Sequence, residues 1–168
     1  SCFAAALKHR ADDPRIHLRL GEAQAALGAW RDAAASYRHA IAHGLDRGGV
    51  HNNLGLALSR AGEGSGAVQA FRRAAVLDPA DPTPLVNLGD ACLAEGDMDG
   101  AEQALRAALA LDADLAAAHL NLGNVERRRN RLADAIGSYR RAAALAPGNA
   151  RAHGNLGMAL AEAGQAGP

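Results

Sequence analysis

Aromatic residues make up only 3% of this 168-residue chain: two Phe, two Tyr and one Trp. Sheet proteins draw on β-branched and aromatic side chains, so their scarcity argues against strands. Lysine occurs once, as Lys8, and the formal charges balance to +0 with a pI near 7.0. No nucleic-acid partner is expected, because phosphate backbones are held by broadly basic surfaces. The two cysteines, Cys2 and Cys92, stand far apart and outside any CxxC pair. Neither a disulfide framework nor a zinc site is implied, and Cys92 reads as a small core residue. No apolar run approaches a membrane span. The opening "SCFAAALKHR" lacks the charged-then-apolar order of a signal peptide. No membrane association is expected, and the cytoplasm is the expected compartment. What the chain has in excess is alanine, 43 of 168 residues. Alanine favours helix and lets helices approach closely, so the expected fold is all-α with thin helix–helix contacts.

A period organises the whole length. Asn-Leu-Gly occurs at 53–55, 87–89, 121–123 and 155–157, a step of 34 residues, and Leu20-Gly21 lies on the same grid. Such a period marks stacked repeats. With the recurring Gly set at position 8, repeats begin at Pro14, Gly48, Pro82, Ala116 and Ala150, with no insertion or deletion. Position 20 is then Ala33, Ala67, Ala101 and Ala135. Position 24 is Tyr37, Phe71, Leu105 and Tyr139, and position 27 is Ala40, Ala74, Ala108 and Ala142. Each repeat holds two helices, A over roughly positions 1–14 and B over roughly 18–31. Asp13-Pro14 and Asp81-Pro82 are start signals, and Asn149 is a candidate cap. Gly28, Gly62, Gly96, Asn130 and Gly164 mark the turn between helices. Pro79 and Pro147 close helix B.

A large residue, Leu-Gly, Ala, an aromatic and Pro at these offsets resemble the tetratricopeptide repeat (TPR) family over nearly the full length. That resemblance implies a right-handed α-α superhelix, a solenoid of antiparallel helix pairs. Four repeats are expected at 14–47, 48–81, 82–115 and 116–149. Residues 1–13 would be helix B of a leading half repeat, and 150–168 helix A of a trailing one. Half repeats at both ends suggest part of a longer array and allow end-to-end self-association. The resemblance also sets the position 8 Gly against the position 20 Ala inside each pair, Gly89 against Ala101. The position 24 residue then fills the gap to the next repeat. The glycine-rich stretches "HGLDRGGV" (43–50) and "GEGSG" (62–66) read as either a loose loop or a hinge.

The chain holds seven histidines. His17, His51, His119 and His153 all occupy position 4, where the family places a large packing residue. Neighbouring A helices roughly 10 Å apart hold such residues too far from each other to share one metal at about 2 Å. His9, His39 and His43 fall in B-helix tails, where a cation suits the dipole. No metal site, cofactor or catalytic residue is expected: no nucleophile elbow, phosphate loop, HExxH or paired-cysteine motif is present. "ERRRNR" (126–131) complements the C-terminal end of its helix, while Arg127 and Arg128 can also edge the groove and meet an acidic group.

The feature a helical fold does not demand is the Asn at position 6: Asn53, Asn87, Asn121 and Asn155, with Arg19 in repeat 1. In the family, positions 2, 5, 6, 9, 12 and 13 of the A helices tend to face a concave groove. Four buried primary amides would each need partners, so a groove-facing row fits better. A primary amide both donates and accepts, so it pairs with one peptide group of an extended ligand whatever the ligand's side chains. A ~10 Å step matches about three extended residues at ~3.3 Å each. The expected peptide-binding residues are Asn53, Asn87, Asn121 and Asn155, with Asn52, Asp90, Asn124 and Arg128 beside them. The row is similar to the asparagine ladder in the TPR region of O-GlcNAc transferases, and Asn121-Leu122-Gly123-Asn124 is the closest local match. The alternative is that these Asn bridge adjacent A helices and touch no ligand. A carboxylate clamp like that of chaperone-binding TPRs is not expected, because its Lys column is Leu120 here. The expected function is a non-catalytic protein- or peptide-binding scaffold. The alternatives are the substrate-recruiting arm of a glycosyltransferase-like enzyme and a self-assembling structural repeat.

Overall fold

A computed structural model describes residues 13–165. The reading of the first residues as a lone helix B lies outside that range. Among the described residues there are nine helices and no strand. They are α1 (Pro14–Ala26), α2 (Trp30–Ala42), α3 (Gly48–Ala61), α4 (Gly64–Leu77), α5 (Thr83–Glu95), α6 (Met98–Leu111), α7 (Ala116–Arg128), α8 (Leu132–Leu145) and α9 (Ala150–Gln165). Odd-numbered helices are the A helices and even-numbered ones the B helices. The all-α solenoid of helix pairs is present, in two compact units divided after Pro79. In the first unit α1 packs on α2, α2 on α3 and α3 on α4. In the second α5 packs on α6, α6 on α7, α7 on α8 and α8 on α9, and α5 also touches α7.

Helix ends follow the sequence signals closely. Asp13 Oδ1 accepts from the Arg15 amide at 2.9 Å, and Asn149 Oδ1 accepts from the Arg151 amide at 3.1 Å. Asp81 Oδ1 takes the Thr83 amide at 2.9 Å, so α5 starts one residue after Pro82. Each B helix opens at position 17, one residue earlier than expected. The turns are left-handed as the column predicts, with φ of 75° at Gly28, 81° at Gly62, 82° at Gly96 and 58° at Asn130. Gly164 departs from the column: α9 continues through it to Gln165.

All eight Ala of positions 20 and 27 are fully buried, at 0% exposure. The position 8 Gly has a different partner from the one expected. A Cβ on Gly89 would lie 2.5 Å from Leu105 Cγ. The same atom on Gly21, Gly55 or Gly123 would meet the ring of Tyr37, Phe71 or Tyr139 at 2.6–2.7 Å. The position 24 side chain therefore lies across the Gly of its own repeat, and no Ala is among the nearest atoms. Burying such a side chain contributes roughly 1.5–3 kcal/mol, and the missing Cβ is what admits it.

Of the glycine-rich stretches, residues 43–47 form the irregular link between α2 and α3, and helices begin inside both stretches. Gly62 and Glu63 alone form the turn, and Gly64–Gly66 already belong to the first turn of α4. Gly48 opens α3 with its Cα against Asp78 and the Ala74 carbonyl, where a Cβ would come within 2.9 Å. It is a packing glycine.

Candidate functional site

Positions 2, 5, 6 and 9 of the A helices do converge in the second unit. Val86, Asn87 and Asp90 on α5, Ala117, Leu120 and Asn121 on α7, and Arg151 on α9 line one cleft of about 430 Å³. Asn87 is half-buried, Asp90 is exposed, and Asn121 is 8% exposed. The small side chains of Ala116 and Ala117 keep the cleft open between α5 and α9. A cation and a carboxylate, Arg151 and Asp90, therefore flank two primary amides on a floor that is partly aliphatic. Arg151 was absent from the expected residues, although position 2 belongs to the groove-facing set.

The remaining predicted residues are placed differently. Asn155 Nδ2 donates to Asn124 Oδ1 at 2.9 Å, and the Tyr139 hydroxyl donates to the same oxygen at 2.9 Å. These two Asn thus bridge the A helices of adjacent repeats, α7 and α9. Arg128 Nη1 donates to the Leu93 carbonyl at 3.0 Å, at the C-terminal end of α5. In the first unit Asn52 and Asn53 are half-buried on α3. Asn121 reverses the expectation that position 6 stays out of the interior.

The charge run is a set of ties between repeats. Arg127 Nη1 reaches Glu162 on α9 at 3.0 Å. Arg131 Nη2 reaches Glu102 on α6 at 2.7 Å, and Arg129 pairs with both Glu102 and Asp99. The bond from Arg131 holds the Glu102 carboxyl below the usual carboxylate range. Glu126 is 5% exposed and accepts from Ser138 Oγ at 2.7 Å. Burial pushes its carboxyl above the usual range. Gln24 and Ser36 repeat this tie in the first pair, at 2.6 Å. Sequence reasoning missed both ties, yet a signal exists: position 11 is Gln24 or Glu126 where position 23 is Ser36 or Ser138. It is Leu58 or Cys92 where position 23 is Ala70 or Ala104.

Position 4 histidines are polar staples, more than packing residues. His119 Nε2 meets the Ala113 carbonyl and His153 Nε2 the Pro147 carbonyl, each at 2.9 Å and six residues back. His51 Nε2 meets Asp46 Oδ1 at 2.7 Å, and Asp46 also pairs with Arg73. His17, His39 and His43 stack, with ring centroids 5.2 to 6.3 Å apart. Among the described residues no group of His, Cys, Asp and Glu could hold a metal ion, and no helix is long and apolar enough to cross a membrane.

The sequence profile of the tetratricopeptide repeat family matches residues 1–48, 26–82, 52–116, 86–150 and 120–167. A search of the curated proteins finds no match. Among solved structures the chain is similar to MamA 41-end from Desulfovibrio magneticus RS-1. The TM-score is 0.82 at 20% identity, covering 90% of this chain and 85% of that one. It is also similar to YrrB, described as a TPR protein with an unusual peptide-binding site. There the TM-score is 0.79 at 20% identity, over 88% and 76% of the two chains. The first TPR of Spaghetti (RPAP3), bound to the HSP90 peptide SRMEEVD, matches with a TM-score of 0.68 at 21% identity. That match covers 72% of this chain and 99% of that one.

Proposed function

Because the chain belongs to the tetratricopeptide repeat family, we propose that it is a non-catalytic scaffold that binds an extended protein segment along its A helices. The observation that carries this reading is the cleft of the second unit, where Asn87, Asn121, Asp90 and Arg151 share one opening. Each Asn offers an amide donor and a carbonyl acceptor, the pair that a peptide group complements. Recognition of the main chain through Asn87 and Asn121 demands little of the ligand's sequence. Arg151 and Asp90 add charge selectivity at either end, for an acidic and a basic side chain respectively. Peptide binding by YrrB and by the RPAP3 repeat supports the reading by analogy of fold. Asn155 and Asn124, bonded to each other, are not part of this lining. Asn53 is proposed to carry the corresponding role on α3 in the first unit.

A random-sequence peptide array probed with the wild type and with Asn87→Ala/Asn121→Ala tests the proposal. Binding should fall across many unrelated peptides together, because the lost bonds are to main chain. Undiminished binding by the double variant, with its helix content intact, refutes it.

A further inference from the structure

Each unit carries a cleft on its B-helix side, and the two coincide position by position. In the first unit Arg38, His51, Leu54, Leu58, Gly66 and Arg73 line an opening of about 240 Å³. In the second, the residues 68 places later, Arg106, His119, Leu122, Glu126, Asp134 and Arg141, line one of about 500 Å³. Two repeats thus give the same frame twice: an Arg from the preceding B helix, the position 4 His, an aliphatic floor at Leu54 or Leu122, and an Arg near the end of the next B helix. None of these residues belongs to the A-helix cleft described above.

In both copies the far Arg is held by the linker ahead of its repeat, Arg73 to Asp46 and Arg141 to Asp114 at 2.5 Å. The near Arg differs. Arg106 is bound by Glu102 of its own helix at 2.7 Å. Arg38 reaches Glu63 only at 3.5 Å, and its side chain is 54% exposed. The floor differs too. Where the second unit has Glu126 and Asp134, the first has Leu58 and Gly66. The first cleft therefore presents two guanidinium groups over an aliphatic floor with no carboxylate in its lining. The second has two carboxylates in its own.

We propose that the B-side cleft of the first unit is a docking pocket for one acidic side chain of a partner peptide. The ligand's carboxylate pairs with Arg38 and Arg73, and its methylene stem lies on Leu54 and Leu58. The matching cleft of the second unit is closed to the same ligand by Asp134 and Glu126. A charge-assisted pair of this kind is directional and strong relative to neutral hydrogen bonds, and exposure makes it sensitive to salt.

Fluorescence anisotropy with a labelled hexaglutamate peptide at low ionic strength tests this on the full chain. The wild type should bind, and added salt should weaken it. Arg38→Gln and Gly66→Asp should each reduce affinity roughly tenfold or more, the loss expected when one charged hydrogen bond of about 1.5–3 kcal/mol goes. Gly66→Asp copies the residue found at 134, and it sits in the first turn of α4, where a carboxylate suits the helix. A Cβ there would come no closer than 3.4 Å to Leu58, so the fold is retained. Arg106→Gln should bind as the wild type does. The proposal is overturned if Gly66→Asp binds undiminished, or if Arg106→Gln loses as much as Arg38→Gln. It is equally overturned if inorganic phosphate displaces the peptide at the peptide's own concentration.

Discussion

Replacing the position 8 glycine by alanine should have opposite effects at two places in the same column. At Gly89 the new Cβ would lie 2.5 Å from Leu105 Cγ and 2.7 Å from Cδ2. Cγ is the branch atom of Leu105, one bond from Cβ, so it clears the contact only if α6 moves from α5. Overpacking of this kind costs typically 1–3 kcal/mol. At Gly157 the same Cβ would meet nothing within 4 Å, since among the described residues no position 24 side chain lies across α9. Both substitutions gain the helix preference of Ala over Gly, about 1 kcal/mol. The gain cancels in the comparison, so the difference between the two variants isolates the steric clash. For a chain of this size about 2–4 °C of Tm accompanies each kcal/mol, which makes the gap roughly 2–12 °C. Gly157→Ala should melt at or above the wild type and Gly89→Ala below it, by circular dichroism at 222 nm. Leu105→Ala alone should cost about 2–5 kcal/mol through the cavity it leaves. Combined with Gly89→Ala it should cost less than the sum, because the new methyl occupies part of that cavity. Equal melting of the two glycine variants, or strict additivity in the pair, would refute the view that Gly is there to admit the position 24 side chain.

The remaining predictions concern the buried polar ties. Glu126→Gln keeps an acceptor for Ser138 and removes a charge that burial penalises, so its Tm should exceed the wild type at neutral pH. Because burial raises the Glu126 pKa, the wild type is relatively more stable at low pH and loses that as pH rises through the folded value. The advantage of Gln should therefore vanish as pH falls below about 4.3. Glu102→Gln should do the reverse: its carboxyl is held low by Arg131, so the wild type is favoured above about 4.3 and the difference fades in acid. Tyr139→Phe removes the hydroxyl that donates to Asn124. It should cost about 1 kcal/mol and loosen Asn155, visible as faster hydrogen exchange in α9.

Much of this fold is legible because the repeat presents each structural demand several times. The left-handed turn appears as Gly, Gly, Gly and Asn at one position, and the tightest helix contacts as two unbroken Ala columns. What stayed hidden is contact between different columns. Gly89 shares no column with Leu105, and Ser138 shares none with Glu126, so reading down columns pairs neither. The partners of Arg128, Arg129 and Arg131 lie on another repeat, 27 to 35 residues away. A charge run read along one helix reports the dipole it sits in and says nothing of neighbours that distant in sequence. The groove columns were half legible. Positions 2, 5, 6 and 9 do share a cleft in the second unit, but Asn124 and Asn155 are consumed by each other.

Variation among repeats separates residues held by a partner from residues that answer to something outside the chain. Asp46, His51 and Arg73 form one contact group. The Asp and Arg recur as the pair Asp114–Arg141 and are lost together as Ala80 and Ala107, whereas the His varies separately: His119 meets the Ala113 carbonyl instead, and His153 follows Gly148 at the Asp position. A coupled pair behaves as the Asp and Arg do, because losing one member leaves the other with an unmatched charge. Positions 11 and 23 change together for the same reason. Position 6 does not. It is Asn in four repeats while its groove neighbour at position 9 runs through Leu56, Asp90, Asn124 and Met158. The Asn124–Asn155 bond joins position 9 of one repeat to position 6 of the next; the same register sets Asn53 against Glu22, Asn87 against Leu56 and Asn121 against Asp90, side chains of quite different chemistry. An amide retained across such different neighbours is what the proposed repeating ligand would require, since the repeating part of any peptide is its main chain.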